Sequence, residues 1–248
     1  MIVSMLEFNY NNFLSRKKHM LSKLKEAIFR GEVDRQVLPH LNLINSLPFC
    51  YTTSSCSGRI ALIDAPLIGP KKESKKVLRW HEPVSFGEVR NSIHRYEPKN
   101  VLWLKFDAFI IAFSVASAEW AMFFIKFARY LNLKDSGIRS INPRAGFINM
   151  DFMSTEKMSL PVRIGKRIII DDKYLKEAIT IANFMMEKNS LKLDLLRKSL
   201  ERLHEWLKDN DTPPPLNIFD PLISEYKERL EGLKKTQQYL TITGSSLN

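Results

Sequence analysis

Cysteine, glycine and long apolar runs are all scarce in this 248-residue chain, and each shortage removes a class of protein. Two cysteines, Cys50 and Cys56, are too few for the disulfide framework of a small secreted domain. They fit a reduced compartment, and the protein is expected in the cytoplasm. The five histidines, His19, His40, His81, His94 and His204, are scattered. No Cys or His pair has the spacing of a tetrahedral site, so neither a structural zinc nor any other metal is expected. The nine glycines form neither G-x-x-x-x-G-K-[ST] nor a G-x-G-x-x-G after a strand. A P-loop nucleotide triphosphatase and the usual Rossmann cofactor loop are thereby excluded. No apolar run reaches the roughly 18 residues that a membrane-spanning helix needs, and Met1 to Asn12, with Glu7 and no apolar centre, does not read as a signal peptide. Acidic residues are also in deficit. Against 38 Lys and Arg stand 27 Asp and Glu, a net charge of +11 with a sequence pI of about 9.6. Such an excess favours a polyanionic partner, nucleic acid ahead of an anionic membrane surface, and no membrane partner is expected.

What is present is a chain 44% hydrophobic, enough to bury a full core. Phe13, Lys17, Met20, Leu21, Leu24 and Ile28 recur at helical spacing, and Gly31 ends the helix. Arg16, Lys17, Lys18, His19, Lys23 and Lys25 make the rest of it basic. Lys71-Lys72-Glu73-Ser74-Lys75-Lys76 is a second basic cluster, in a loop. Arg16, Lys17, Lys71 and Lys72 are therefore candidate RNA phosphate contacts; the alternative is a solvated face. Val37 to Ser46 reads as a second helix. Ser85-Phe86-Gly87-Glu88 has the form of a capping box opening a helix to Arg95, and Ser117 caps an apolar helix from Trp120 to Leu131. Strands are expected at Val101 to Val115, at Gly137 to Ile141 and Gly146 to Met150, and as a hairpin across Gly165-Lys166. Leucines and other apolar residues from Leu175 to Leu207 form one long helical stripe, with Asn189 on its apolar face. Pro213-Pro214-Pro215 stops the stripe, a last helix follows from Leu222 to Leu233, and the tail from Thr241 is expected to be disordered. The fold class is α+β: a mixed or antiparallel sheet core with packed helices, with the strands-then-helix order occurring twice, a hint of duplication. Residues 1–210 would form one catalytic domain and 211–248 a helical extension.

The densest stretch is Thr53-Ser54-Ser55-Cys56-Ser57-Gly58-Arg59, between apolar runs at Pro48 to Tyr51 and Ile60 to Ile63. It reads either as a tight turn between two strands or, with its row of hydroxyls, closely spaced N–H groups and one guanidinium, as a cradle for an anion or carboxylate. Cys56, three residues from Arg59, is a small packing residue or an activated thiol. His81, at a strand end between Trp80 and Glu82-Pro83, is a candidate proton acceptor near neutral pH. Trp80 and Tyr51 are candidate surfaces on which a splayed base stacks, or core residues.

The run from Thr53 to Arg59 resembles the signature of the wybutosine-synthesising N4-methyltransferase family of transfer RNA. The similarity spans roughly Phe8 to Asn189 and takes in Phe13, Arg16-Lys17, His81-Glu82-Pro83, Ser136-Gly137-Ile138 and Asn183 to Asn189, in that order. The resemblance implies S-adenosylmethionine-dependent methylation of N4 in the tricyclic guanine derivative at position 37, in the anticodon loop of phenylalanine transfer RNA. It implies cofactor contacts from Ser54, Ser55, Cys56, Ser57, Gly58 and Arg59, with Ser136, Gly137 and Asn189 nearby. Direct methyl transfer needs no covalent protein intermediate, so His81, then Asp107, are the candidate proton acceptors and Ser55 a positioning hydroxyl. One departure is clear: family members often carry a His in the stretch matching Ile110 to Val115, which here reads Ile-Ile-Ala-Phe-Ser-Val. A non-catalytic RNA-binding protein and an enzyme of small acidic metabolites remain as the other readings of the charge.

Overall fold

The computed structural model describes residues 9–68 and 73–244, so that Lys71 and Lys72 lie outside the described residues. The fold is α+β, with two antiparallel sheets and six α-helices among those residues. Of the described residues, those up to Ser57, Phe109–Thr155 and Leu191–Tyr239 form one compact unit; Gly58–Ala108 and Glu156–Ser190 make up the body of a second. No described helix is long and apolar enough to cross a membrane.

The first unit is built on the helices α1 (Tyr10–Phe29) and α2 (Leu38–Ser46), the strand β1 (Cys50–Cys56), and further on β5 (Ile110–Val115), α4 (Ala118–Tyr130), β6 (Gly137–Asn142) and β7 (Phe147–Met153). The sheet order is β1-β5-β7-β6. Helix ends follow local chemistry. Asn9 accepts the Asn12 N–H at 3.0 Å, Ser117 accepts the Trp120 N–H at 3.3 Å, and Gly31, at φ +68°, turns the chain out of α1. Side-chain alternation gives the sheet two different faces. Cys50, Ile111, Phe113, Val115, Ile148, Met150 and Phe152 point into the main core with α4; Tyr51 and Phe147 point the other way and meet Phe13 of α1. Phe124 packs edge-on against both Phe113 (5.4 Å) and Phe152 (5.7 Å), the geometry the ring quadrupoles favour. Each such buried ring contributes about 1.5–3 kcal/mol. The C-terminal helix α6 (Asp220–Gly244), which runs on through Thr241, is held by ion pairs of its Arg229 with Asp194 and of its Glu225 with Lys198.

The second unit holds β2 (Arg59–Ala65), β3 (Lys75–Trp80), α3 (Phe86–Arg95), β4 (Val101–Asp107), β8 (Lys157–Ile164) and β9 (Arg167–Ile168), in the sheet order β3-β2-β4-β8-β9. Ile60, Leu62, Leu102, Leu104, Phe106 and Val162 pack on Val89 and Ile93 of α3 and on Leu175, Ile179, Ala182 and Met186. Those last four belong to α5 (Asp172–Trp206), one unbroken helix that contributes its length up to Ser190 here and the remainder to the first unit. Polar side chains pin the irregular parts. Asn183 exchanges two hydrogen bonds of 2.9 Å with the backbone of Val84, Arg163 donates to the carbonyls of Ile93 and His94 at the end of α3, and Asp64 accepts from the N–H groups of Lys99 and Asn100.

Of the two readings of the Ser54 to Arg59 run, the tight turn between paired strands does not form. β1 pairs with β5, while β2 pairs with β3 and β4. The run is the connection by which the chain leaves one sheet and enters the other. By contrast β6 and β7 do pair, as the sequence suggests, as do β8 and β9.

Candidate functional site

In the second unit the end of the Ser-rich run meets three other candidates. Gly58 has φ +96°, a conformation that favours glycine. A Cβ placed on it would lie 2.7 Å from Nδ2 of Asn189, a residue only 1% exposed. Asn189, which interrupts the apolar stripe of α5, is thus the neighbour for which Gly58 leaves room. His81 donates from Nδ1 to the Gly58 carbonyl at 2.9 Å. A carbonyl can only accept, so the proton sits on Nδ1 and the lone pair of the neutral ring is on Nε2. Arg59 opens β2 directly opposite Asp107, the last residue of β4, and their side chains approach to 3.5 Å. The Arg59 Nε–H is buried and has no hydrogen-bond partner among the described residues, an unspent donor of the kind that requires an explanation. Gly58, Arg59, His81, Asp107 and Asn189 are therefore brought together. Trp80 closes β3 opposite Ile60; its indole donates to Glu88 at 2.6 Å and its ring packs on the second core. Glu88, the expected capping-box residue, receives its N–H cap from Ser85 at 3.3 Å.

In the first unit the same run begins on β1, an edge strand. A register shift between Thr52 and Ser54 marks a bulge, which re-aims side chains locally. Thr53, Ser54 and Ser55 line a cleft of about 450 Å³ against α1, and their hydroxyls have no hydrogen-bond partner among the described residues. Ser57 is held by a residue that sequence reasoning missed: Asp34 accepts from its N–H at 2.8 Å and from its hydroxyl at 3.2 Å. Asp34 precedes the short 3-10 turn Arg35–Val37 yet makes no side-chain cap there. Its place at a turn start would have suggested a cap, and nothing in the sequence points it at Ser57.

Other candidates have local partners. Lys17 directs its ammonium at the carbonyls of Leu47 and Pro48, and burial lowers its pKa although nearby Cys50 opposes the shift. Cys50 is fully buried, and burial pushes its thiol well above the ordinary range; Cys56 is half-buried. The Arg16 guanidinium sits 4.8 Å from the centre of the Phe147 ring. Ser136 accepts from the Met153 N–H at 2.9 Å, and the Gly137 N–H donates to Asp151, which Arg139 clamps at 2.6 and 2.8 Å. Gly137 lies on β6, the opposite edge of the sheet from β1, three inter-strand spacings or about 14 Å away.

Comparison with known proteins adds an independent observation. Residues 15–202 match the model of a family described as Methyltransferase TYW3. A relative from Pyrococcus furiosus, named a tRNA(Phe) 7-((3-amino-3-carboxypropyl)-4-demethylwyosine(37)-N(4))-methyltransferase, is 33% identical over 193 residues, covering 78% of this chain and 97% of that protein. A Pyrococcus horikoshii relative of the same description is 31% identical and covers 88% of this chain and 98% of its own length. A solved structure of a protein from Pyrococcus horikoshii superposes with a TM-score of 0.71 at 32% identity, over 77% of this chain and 96% of that one. One from Aeropyrum pernix gives 0.58 at 28% identity, over 68% and 98%.

Proposed function

The chain belongs to the TYW3 methyltransferase family, and from that premise we propose that this transfer RNA methyltransferase of the wybutosine pathway uses S-adenosylmethionine to methylate N4 of the aminocarboxypropyl-bearing tricyclic base at position 37 of phenylalanine tRNA. The observation that carries the reading beyond the family is the Arg59 guanidinium beside Gly58, a side chain 22% exposed whose approach to Asp107 is a loose 3.5 Å and whose Nε–H has no partner among the described residues. A planar fork with an open donor suits a carboxylate, and the cofactor ends in one. The residues present therefore fit the group: Arg59 holds its carboxylate, and Asn189 and Gly58 shape the wall beside it. When bound, the cofactor supplies a sulfonium methyl whose C–S bond breaks as the new N–C bond forms, the sulfur keeping the electron pair.

The chain's own contribution is alignment and proton removal. Holding the nucleophilic nitrogen in line can supply several kcal/mol of the barrier. As N4 becomes bonded to carbon its N–H proton must leave. His81, whose Nδ1–H is held by the Gly58 carbonyl so that the ring is oriented, is the first candidate acceptor. Asp107, half exposed and already partnered by Arg59, is the second. Ser55 is a positioning hydroxyl, and no step requires the Cys56 thiol. RNA is drawn in by the net charge of +11, with Arg16, Lys71 and Lys72 as its phosphate contacts, whereas the Lys17 ammonium is turned to backbone carbonyls and the Trp80 indole to Glu88. Affinity for tRNA should then fall steeply with salt as counterions are released.

The test is incubation with a labelled methyl donor and phenylalanine tRNA carrying the unmethylated tricyclic base, followed by nucleoside analysis. Label in the N4-methylated nucleoside is the expected result. Label elsewhere in the tRNA, or none with protein that binds both ligands, overturns the assignment.

A further inference from the structure

The cleft between α1 and β1 in the first unit carries two opposite charges, Lys23 and Glu26, that the methyl-transfer chemistry leaves unused. Its volume is about 450 Å³, within the range of small-molecule sites. Lys23 and Glu26 lie on its α1 side three residues apart, hence on one helix face. Neither makes an ion pair or a side-chain hydrogen bond among the described residues, although the Glu26 carboxylate acts on the Arg30 guanidinium through space. Arg30, a third charge on the cleft, is by contrast already forked onto Glu32 at 3.0 and 3.1 Å. Opposite stand the hydroxyls of Thr53, Ser54 and Ser55, also unspent, and the floor between is apolar, with Leu24 and Ala27. One open cation, one open anion, three free hydroxyls and an apolar floor do not match a phosphate or a bare base. A phosphate would be repelled by Glu26, and a neutral base would leave the Lys23 charge unpaired and the Glu26 charge balanced only in part by Arg30.

We infer that this cleft takes an α-amino-acid group: Lys23 for its carboxylate, Glu26 for its ammonium, the hydroxyls for their remaining hydrogen bonds, and the apolar floor for the methylenes. The inference rests on the proposed function, which supplies two sources of that chemistry, the aminocarboxypropyl chain of the base and the methionyl end of the cofactor. The base chain is favoured, since Arg59 already offers the cofactor carboxylate its partner. A site with opposed charges discriminates sharply against a ligand that lacks one of them, because its own groups are then left unpaired.

Glu26→Gln gives the most telling test. Removing a negative charge from a protein that binds RNA should strengthen binding through the phosphates alone. The cleft assignment requires the opposite sign for RNA that carries the chain. Anticodon stem-loops with and without the aminocarboxypropyl chain are titrated against wild type, Lys23→Ala and Glu26→Gln, and S-adenosylmethionine is titrated by calorimetry. Expected is a wild-type preference for the chain-bearing RNA that falls about tenfold in each variant, with cofactor affinity retained. Cofactor affinity reduced tenfold with the RNA preference intact would move the same amino-acid site to the cofactor. Unchanged RNA preference together with unchanged cofactor affinity overturns the assignment. Binding is read apart from methyl transfer, so protein that prefers the chain-bearing RNA but never methylates it defeats the proposed function and not the cleft. Both side chains are exposed, and a far-UV spectrum matching wild type confirms that the variants fold.

Discussion

Gly58→Ala isolates the tightest contact of the candidate site. Two penalties act together. Alanine at φ +96° leaves the allowed region for a residue with a Cβ, a cost of about 1–2 kcal/mol. The new Cβ would also stand 2.7 Å from Asn189 Nδ2, 3.1 Å from its Cγ and 3.2 Å from its Oδ1. Asn189 is 1% exposed and lies within a continuous helix, so it cannot swing into solvent, and overpacking of this kind costs about 1–3 kcal/mol. The sum is roughly 2–5 kcal/mol. The two parts separate in a double-mutant cycle. Asn189→Ala removes the atoms that the Cβ meets and leaves the backbone strain. In that background Gly58→Ala should cost only the strain, about 1–2 kcal/mol. Urea titration of the four proteins measures this directly. An equal cost of Gly58→Ala in both backgrounds would show that Asn189 does not confine position 58. A cost below about 0.5 kcal/mol in the parent would refute the strain argument as well.

Three further outcomes follow from the geometry. His81→Ala should lower single-turnover methylation roughly a hundredfold at saturating cofactor while cofactor affinity holds, with Cys56→Ala nearly as active as wild type; a fully active His81→Ala returns proton removal to solvent. Asp34→Ala leaves the Ser57 N–H and hydroxyl without their shared acceptor and should cost about 1–3 kcal/mol by denaturant titration, with Asp34→Asn milder; no loss in either would mean that Ser57 needs no anchor. Cys50, buried and with its pKa raised above the ordinary 9.0, contributes stability that is complete below that value and is lost as pH rises. Wild type should therefore lose up to about 1.4 kcal/mol per pH unit above pH 9 relative to Cys50→Ala. Lys17 acts in the opposite sense, since its lowered pKa gives a contribution present above 10.5 and lost as pH falls through the folded value. Because Cys50 and Lys17 act on one another, Cys50→Ala also changes the Lys17 contribution, so the comparison is repeated in a Lys17→Ala background, where a flat difference between about pH 8 and 10 contradicts the burial argument.

Local chemistry made much of the fold legible. Ser85 and Ser117 announce their helices because an N-cap bond is made within three residues. The stripe from Leu175 to Leu207 foretells α5 because helical periodicity is a property of the chain itself. β6 with β7, and β8 with β9, were readable as hairpins for the same reason: their partners lie across short turns. The Ser54 to Arg59 run stood out by composition, and its resemblance named the family that the comparisons bear out. What the sequence by itself determined, then, is which segments become helix or strand, where they end, and which loop carries unusual chemistry. Pairing across distance was decided elsewhere. Nothing in the alternation of β1 and β2 says that they enter different sheets, because a strand's edge hydrogen bonds are satisfied equally by a near or a remote neighbour. Only the tertiary structure set Asn189 against Gly58, aimed Asp34 at Ser57, turned Lys17 inward to the Leu47 carbonyl and placed Lys23 and Glu26 across from free hydroxyls. Each of these depends on residues far apart in the chain. Their meeting follows from the packing of whole helices and sheets, whose energy is non-directional and shared among many side chains, so that no local pattern records it.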